Sequence, residues 1–197
     1  MYPNKRKFLK NEENDNETDL PKVSEVGNHI YFYSDVTTSN VLKLLTILKL
    51  KTNELQKSNI DTNGTSNIFL HICSDGGSVY EGLAAMDTIK SNSIPVTTII
   101  EGLVCSAATF IALGGKTIMM RPNAHLLIHQ ISSSFWGKYE DFNDEKKNLD
   151  NLMQLLKSLY TNSTCIPKKV LDTMFKRDMY INSKQCLNWK IISDILE

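Results

Sequence analysis

Short, dense runs of apolar residues alternate along the chain with stretches that have a helical pattern. Residues 68–73 and 94–100 are almost wholly apolar or β-branched, which predicts two buried strands. Each run is followed by glycine or small residues and then by a helical pattern, at residues 79–89 and 105–113. Strand, turn and helix in repeated succession predict an α/β fold with a mostly parallel sheet.

The same patterns predict the remaining elements. Strands are expected at residues 30–33, 117–120, 125–129 and 179–181, helices at 38–55, 139–161 and 167–175, a loop at 57–66, and a last helix capped by Asn182 or Ser183. Ser78 and Glu81 have the spacing of a capping box at the start of the helix over 79–89. A helix over 139–161 would be about 33 Å long. Because this is longer than a small core requires, the helix is expected to project and pack on another subunit.

The start of the chain differs in composition from the rest. Residues 1–26 are polar, rich in Asn, Lys and Glu, and without apolar periodicity, which predicts a flexible tail. The chain has 197 residues, of which 41% are hydrophobic. Residues 27–197 are therefore expected to form a single domain around one core.

Charge and cysteine content limit the classes of function that the protein can have. The formal net charge is zero, so nothing indicates binding to nucleic acid or to an anionic membrane surface. The most apolar window, residues 102–115, is too short to span a bilayer, and no secretory signal is visible. The four cysteines are widely separated, which is typical of reduced thiols. A soluble intracellular protein, in the cytoplasm, is expected, and no spacing of metal ligands is present.

Ser106 is the candidate nucleophile. It lies in a segment of small apolar residues at the corner between a predicted strand and a predicted helix, where free backbone N–H groups stabilise a developing oxyanion. A simple helix cap is about as good an interpretation of this stretch alone. The adjacent Cys105 is expected to be a buried small residue, because no cationic neighbour would lower its pKa.

A serine nucleophile needs a base, which is usually a histidine held by a carboxylate. His125 and His129 face the same side of one predicted strand, and periodicity does not choose between them. His71, in the middle of a predicted buried strand, is expected to be structural. The turn at Gly76 and Gly77 is a weak candidate for supplying a backbone N–H to a site.

Four motifs carry a resemblance to a known family. In order and spacing, the motifs SDGGS (74–78), GLVCSAA (102–108), RPNAHLLIHQ (121–130) and KRDMYI (176–181) resemble those of the proteolytic subunits of the Clp protease, the ClpP family. The resemblance runs from about Ile30 to the C-terminus. It implies a crotonase-like, ClpP-type βαβ superhelix with a protruding handle helix, which corresponds to the helix over 139–161.

The resemblance also implies site residues and an activity. Ser106 resembles the nucleophile, His129 the general base and Asp178 the orienting acid, while the backbone N–H groups of Gly77 and Ala107 resemble the oxyanion hole. The implied protein is the proteolytic subunit of an ATP-dependent Clp protease. Such a subunit is a serine endopeptidase of protein quality control, and it hydrolyses peptide bonds of unfolded chains inside a ring chamber.

Partners are implied in the same way. The expected assembly is a homo-oligomer of two stacked seven-membered rings, or a mixed ring, whose substrates are unfolded polypeptides. A partner AAA+ Clp ATPase would unfold the substrate and use the ATP, so this chain is expected to need no cofactor of its own.

The chain departs from the family pattern at several positions. Asp75 stands where proline is usual beside the expected oxyanion hole, and its carboxylate is expected to point away from that hole. Residues 131–134 replace a glycine-rich start of the handle, and Lys190 stands where glycine usually ends the last helix. Residues before Ile30 do not match the family's axial loops, and residues 57–66 are an apparent insertion.

Two other functions stay open. The first is a catalytically weak or inactive structural subunit of a mixed ring, an interpretation motivated by Asp75 and the altered handle. The second is an acyl-CoA enzyme of the crotonase type, which shares the paired-amide oxyanion hole but would leave the Ser, His and Asp set without a role.

Overall fold

The computed structural model of the chain describes residues 23–62 and 66–197. Its strands are β1 (Val23–Val26), β2 (His29–Phe32), β3 (Ile68–Ser74), β4 (Val96–Cys105), β5 (Thr117–Met120), β6 (His125–Ile128), β7 (Met179–Asn182) and β8 (Asp194–Ile195). Its helices are α1 (Thr38–Thr62), α2 (Val79–Lys90), α3 (Ala108–Leu113), α4 (Tyr139–Ser163), α5 (Lys168–Met174) and α6 (Ser183–Asn188).

One sheet organises these elements. Its main strand order is β1-β2-β3-β4-β5-β8, and β6 pairs with β4 on one side and with β7 on the other. Only the β1–β2 and β6–β7 pairs are antiparallel, which confirms the predicted mostly parallel sheet.

Strand β4 has two partners in succession. Its first part, from Thr97 to Ile100, pairs with β5, and its last part, from Leu103 to Cys105, pairs with β6. The change of partner carries β4 past the end of β5 and places Cys105 beside Leu127 of β6. The end of β4 is therefore fixed by β6, which runs toward His129.

The core anchors the corner that follows β4. Every residue of α3 is buried, and the side chains of Phe110 and Ile111 pack in the same cluster as Ile30 and Phe32 of β2 and Leu44 of α1. Helix α3 ends at Leu113 with Gly114 as its C-cap, as the sequence predicts. The short segment between β4 and α3 is thus held at both ends by buried apolar elements.

The predicted tail of residues 1–26 ends too late. Val23–Val26 form β1, which pairs with β2, and the side chain of Val23 is fully buried. One inward-facing valine in a short edge strand is too weak a pattern to be recognised in a polar sequence. Residues 1–22, which hold the rest of the predicted tail, lie outside the described residues.

Two other predicted boundaries are wrong. Helix α1 continues to Thr62, through much of the predicted loop over 57–66, because no proline or glycine interrupts the sequence before Gly64. Strand β4 continues to Cys105, and α3 begins at Ala108 rather than at Cys105. The pairing with β6 keeps residues 103–105 extended, so Cys105 belongs to the strand and not to the predicted helix.

The caps of α2 and α6 differ from each other. Ser78 is the N-cap of α2, but its hydroxyl donates a hydrogen bond to the Glu81 carboxylate and not to the backbone, so the predicted capping box is absent. For α6 the structure selects Asn182 as the cap. Its side chain accepts a hydrogen bond from the N–H of Gln185 at 3.0 Å.

Helix α4 projects, as its length predicts. Among its residues only Leu156 and Tyr160, near the C-terminal end, are buried. Aromatic side chains are exposed around its N-terminal end: Phe135, Trp136, Tyr139 and Phe142. No helix in the described part of the chain is both long and apolar enough to cross a membrane.

Lys190 adopts a backbone conformation that favours glycine. It follows α6 with φ +51° and is exposed. We expect Lys190→Gly to raise the free energy of unfolding by up to about 1 kcal/mol, because a side chain is strained in this conformation. The melting temperature should then rise by about 2–4 °C in a circular-dichroism melt. The control Lys184→Gly, at an exposed position inside α6, should lower it. An unchanged or lower melting temperature for Lys190→Gly would contradict this account.

Candidate active site

Ser106 lies at the corner between β4 and α3, where the sequence predicts it. Its backbone φ is +54°, which is uncommon for a residue with a side chain. The corner is held by two backbone hydrogen bonds: Ser106 N–H donates to the Leu127 carbonyl at 2.9 Å, and Thr109 N–H donates to the Ser106 carbonyl at 3.0 Å. Strained backbone that is fixed in this way is concentrated at functional sites.

A buried chain of hydroxyl groups ties this corner to the base of α4. The Thr109 hydroxyl donates to the Ser106 carbonyl at 2.6 Å, and the Tyr160 hydroxyl donates to Thr109 Oγ1 at 2.5 Å. Burial raises the pKa of Tyr160, so its hydroxyl stays protonated and remains a donor. The helix that projects from the domain is therefore linked through two side chains to the residue at the corner.

Strand register brings His129 and Asp178 to the same end of the sheet as Ser106. Ile128 is paired with Met179 in the antiparallel β6–β7 ladder, so the next opposing positions are His129 and Asp178. Because Ser106 donates its backbone hydrogen bond to Leu127, it lies beside the same end of β6. His129 is half-buried and Asp178 is exposed. No hydrogen bond among the described residues joins the three side chains.

His125 lies at the other end of β6. It is exposed, its ring Nδ1 is 3.2 Å from the Asn123 carbonyl oxygen, and it is paired with Asn182. Of the two histidines that periodicity leaves open, only His129 is therefore at the end of β6 that neighbours Ser106.

The turn at Gly76 and Gly77 runs directly against the Ser106 corner. Gly76 has φ +95°, and a methyl group added there would lie 2.7 Å from both the Cys105 carbonyl oxygen and Ser106 Cβ. It would also lie 3.3 Å from the backbone nitrogen of Ala107. The turn can approach this closely only because residue 76 has no side chain.

Two backbone N–H groups beside Ser106 have no acceptor within the described residues. The turn is fixed to Val36, whose N–H donates to the Gly76 carbonyl at 2.7 Å and whose carbonyl accepts from Ser78 N–H at 2.9 Å. Neither bond uses the N–H of Gly77, and the N–H of Ala107, just ahead of α3, makes none either. These are the two donors that the resemblance assigns to the oxyanion hole.

Cys105 is not a reactive thiol. Burial raises its pKa to about 12, and the negative charges of Asp75 and Asp178 act in the same direction. The thiolate is therefore negligible at neutral pH, as the sequence predicts. The carboxylate of Asp75 is exposed. Both aspartates therefore act on the residue next to Ser106.

A second cluster of polar side chains, which the sequence does not predict, links β2 and β3 to Glu101 of β4. His29 Nδ1 is 2.9 Å from His71 Nε2, and His71 Nδ1 is 3.0 Å from Glu101 Oε1. Arg121 donates to the same oxygen at 3.2 Å, and the Tyr33 hydroxyl donates to Glu101 Oε2. Burial acts to raise the pKa of Glu101, but these hydrogen bonds outweigh it and lower the pKa. His71 thus has both ring nitrogens hydrogen-bonded, as expected of a structural histidine.

The described residues offer little for metal or disulfide chemistry. Within 23–62 and 66–197, no group of three or more His, Cys, Asp or Glu side chains is arranged to hold a metal ion. All four cysteines are free thiols, and Cys105 and Cys186 are buried.

Comparisons with known proteins identify the family. The family model described as Clp protease matches residues 36–197. The chain belongs to the Clp protease family. It is 29% identical over 137 residues to the ATP-dependent Clp protease proteolytic subunit of Deinococcus radiodurans, covering 68% of this chain and 67% of that protein. The subunit of the same name from Cucumis sativus is 35% identical over 126 residues, covering 62% of this chain and 65% of that protein.

A solved structure of the Clp protease family has the same fold. The structure of a ClpP1 mutant from Listeria monocytogenes superposes with a TM-score of 0.73 at 20% identity, covering 87% of this chain and 92% of that one. The predicted ClpP-type α/β fold and the predicted membership in the family are therefore confirmed.

Membership also confirms the predicted enzyme class, a Clp-type serine peptidase, at the level of the family. The matches cover 55% to 67% of the length of four curated Clp protease relatives. The roles of the individual site residues stay predictions.

Proposed function

We propose that this chain is the proteolytic subunit of an ATP-dependent Clp protease, a serine endopeptidase that cuts unfolded polypeptides. The observation that carries the proposal is the convergence of Ser106, His129 and Asp178 at one end of β4, β6 and β7. Two backbone N–H groups beside Ser106, which have no acceptor among the described residues, add the donors that acyl transfer requires. The names of the relatives from Deinococcus radiodurans and Cucumis sativus support the same activity.

The proposed mechanism assigns each group one task. His129 takes the proton of Ser106 as the hydroxyl oxygen attacks the peptide carbonyl, and Asp178 orients the imidazole and stabilises its protonated form. The N–H groups of Gly77 and Ala107 bind the oxyanion of the tetrahedral intermediate, and the loss of one such donor typically costs about 10²–10³ in rate. His129 then protonates the leaving amine. Water, activated by the same histidine, releases the acyl group from Ser106.

The chain brings these three residues to one end of the sheet, and no hydrogen bond in the described part of the chain joins their side chains. Catalytic hydrogen bonds are often long in the absence of substrate and tighten when it binds. Asp178 is exposed in the single chain, and contacts between subunits are expected to order it.

The lack of hydrogen bonds between these three side chains favours one alternative function. A subunit whose three side chains never align would be a structural, catalytically weak or inactive member of a mixed ring. The negative charge of Asp75, which precedes the Gly76–Gly77 turn and acts on Cys105, points the same way, since negative charge opposes an oxyanion. A co-purifying second subunit of more typical sequence would support this alternative.

The exposed aromatic end of α4 supports an assembly. Large aromatic side chains left in water on a projecting helix are typical of a contact with another protein. We propose that α4 interlocks two stacked seven-membered rings that enclose the active sites. The rings are built from copies of this chain or are mixed rings. A partner AAA+ Clp ATPase would supply unfolded chains and use the ATP, so that this chain works without a cofactor. The free thiols are consistent with a reducing compartment such as the cytoplasm.

Fluorophosphonate labelling tests the proposal. The assembled protein should be modified at Ser106, and it should hydrolyse a fluorogenic dipeptide, which is small enough to enter the chamber without an ATPase. Light scattering on the same sample reports whether rings have formed, and Ser106→Ala is the control that should neither react nor hydrolyse. An assembled protein that stays unlabelled and inactive would reject the proposal and favour the structural subunit.

A further inference from the structure

A cleft of about 660 Å³ opens beside the candidate active site. One wall is the segment from Gly77 to Tyr80 at the start of α2, the opposite wall is α4, and Ile131 to Ser133 lie between them. The cleft starts at Gly77, whose N–H is assigned to the oxyanion, and its middle segment begins two residues after His129. Its volume is in the range of about 300–1,000 Å³ typical of ligand pockets. A substrate side chain close to the cut bond would therefore enter it.

The lining of the cleft combines apolar and polar side chains and includes one charged residue. Five aliphatic side chains line it: Val79, Ile131, Leu149, Leu152 and Leu155. Among the described residues that line the cleft, Glu145 is the only charged one. Glu145 is half-buried and has no hydrogen bond or ion pair with any described residue. A carboxylate in this position lacks the partner that a partly buried charge normally has.

The charged side chains near Glu145 have other partners and do not pair with it. On α4, Lys146 pairs with Asp150 at 2.5 Å and Lys147 pairs with Asp144 at 3.2 Å, both on the exposed side of the helix. Across the cleft, Glu81 accepts hydrogen bonds from the hydroxyl groups of Ser78 and Thr38. Glu145 is thus the carboxylate that remains available to a ligand in the cleft.

We infer that this cleft selects a substrate residue with a long apolar stem and a cationic end, a lysine or an arginine. The inference rests on the proposed function, because it concerns the substrate of the same site. The methylene groups of such a side chain would cover the leucines of α4, while the ammonium or guanidinium group would pair with Glu145. An acidic substrate residue would be repelled.

A pair of peptides that differ in one charge tests the inference. Two short, internally quenched peptides are identical except for lysine or Nε-acetyl-lysine next to the cut bond, whose position is verified by mass spectrometry. The assembled protein should cleave the lysine peptide with a kcat/KM about three- to tenfold higher. Glu145→Gln should remove this preference, so that the two peptides are cleaved with similar kcat/KM. Glu140→Gln, an exposed acid on α4 outside the cleft, is the matched control and should keep the preference.

The outcomes separate the inference from the proposed function. Equal cleavage of both peptides by the unmodified protein, with none by Ser106→Ala, would overturn the inference and leave the peptidase in place. A loss of both activities in Glu145→Gln would also overturn it, since it would indicate a structural role. If neither peptide is cleaved, the proposed function fails, and fluorescence anisotropy of labelled peptides then decides the inference. Tighter binding of the lysine peptide that depends on Glu145 would support it, and equal binding would overturn it.

Discussion

Replacement of His129 by alanine should lower kcat/KM for a short peptide by about 10⁴- to 10⁶-fold. The hydroxyl of Ser106 is a weak nucleophile at neutral pH unless a base removes its proton during attack. His129 is the histidine that strand β6 delivers to the Ser106 corner, so its removal leaves the hydroxyl without a base. Initial rates of fluorogenic peptide hydrolysis, with the assembled mass verified on the same sample, measure the effect.

His125 supplies the matched control for that experiment. It is the first residue of β6, whereas His129 directly follows the last residue of that strand, and it is exposed. His125→Ala should retain peptide hydrolysis within about twofold, because surface substitutions usually change little. If His125→Ala abolished hydrolysis and His129→Ala did not, the assignment of the base would be wrong.

The sequence predicts the local features of the candidate active site better than it predicts how distant residues come together there. The corner at Ser106 follows from a β-branched run that meets small residues, and the end of α3 follows from the glycine pair. The approach of His129 and Asp178 to this corner depends on the register of β6 against β4 and β7. Pairing between strands far apart in sequence leaves no periodic signal, so from the residues alone His125 and His129 are equivalent. Only the resemblance to a known family distinguishes them.

Other features escape the sequence because tertiary contacts decide them. The sequence pattern assigns Cys105 to a helix, yet pairing with β6 keeps residues 103–105 extended. The hydrogen bond between His29 and His71 joins side chains on neighbouring strands whose alignment the sequence does not specify. Glu145 is one acid among many on a charged helix. Its significance comes from the cleft formed with Gly77 and Ile131, which no pattern within α4 reveals.

The second large effect is expected at Gly76. Gly76→Ala would place a methyl group 2.7 Å from the Cys105 carbonyl oxygen and from Ser106 Cβ, so the turn and the corner must move apart. Crowding of this kind typically costs about 1–3 kcal/mol, and the positive φ adds about 1 kcal/mol. The movement would also separate the N–H groups of Gly77 and Ala107. We therefore expect a clear fall in melting temperature together with a loss of peptide hydrolysis of about 10²-fold or more.

Gly27→Ala distinguishes crowding from backbone strain. Gly27, in the turn between β1 and β2, also has a positive φ, +59°, but a methyl group there would meet nothing within 4 Å. Its replacement should cost only the strain, about 1 kcal/mol, and should leave peptide hydrolysis nearly unchanged. If both variants lost the same stability and the same activity, the close approach of the Gly76 turn to Ser106 would not be what requires glycine. If only Gly76→Ala lost hydrolysis while it stayed folded, the contact between turn and corner would be the feature that aligns the two N–H donors.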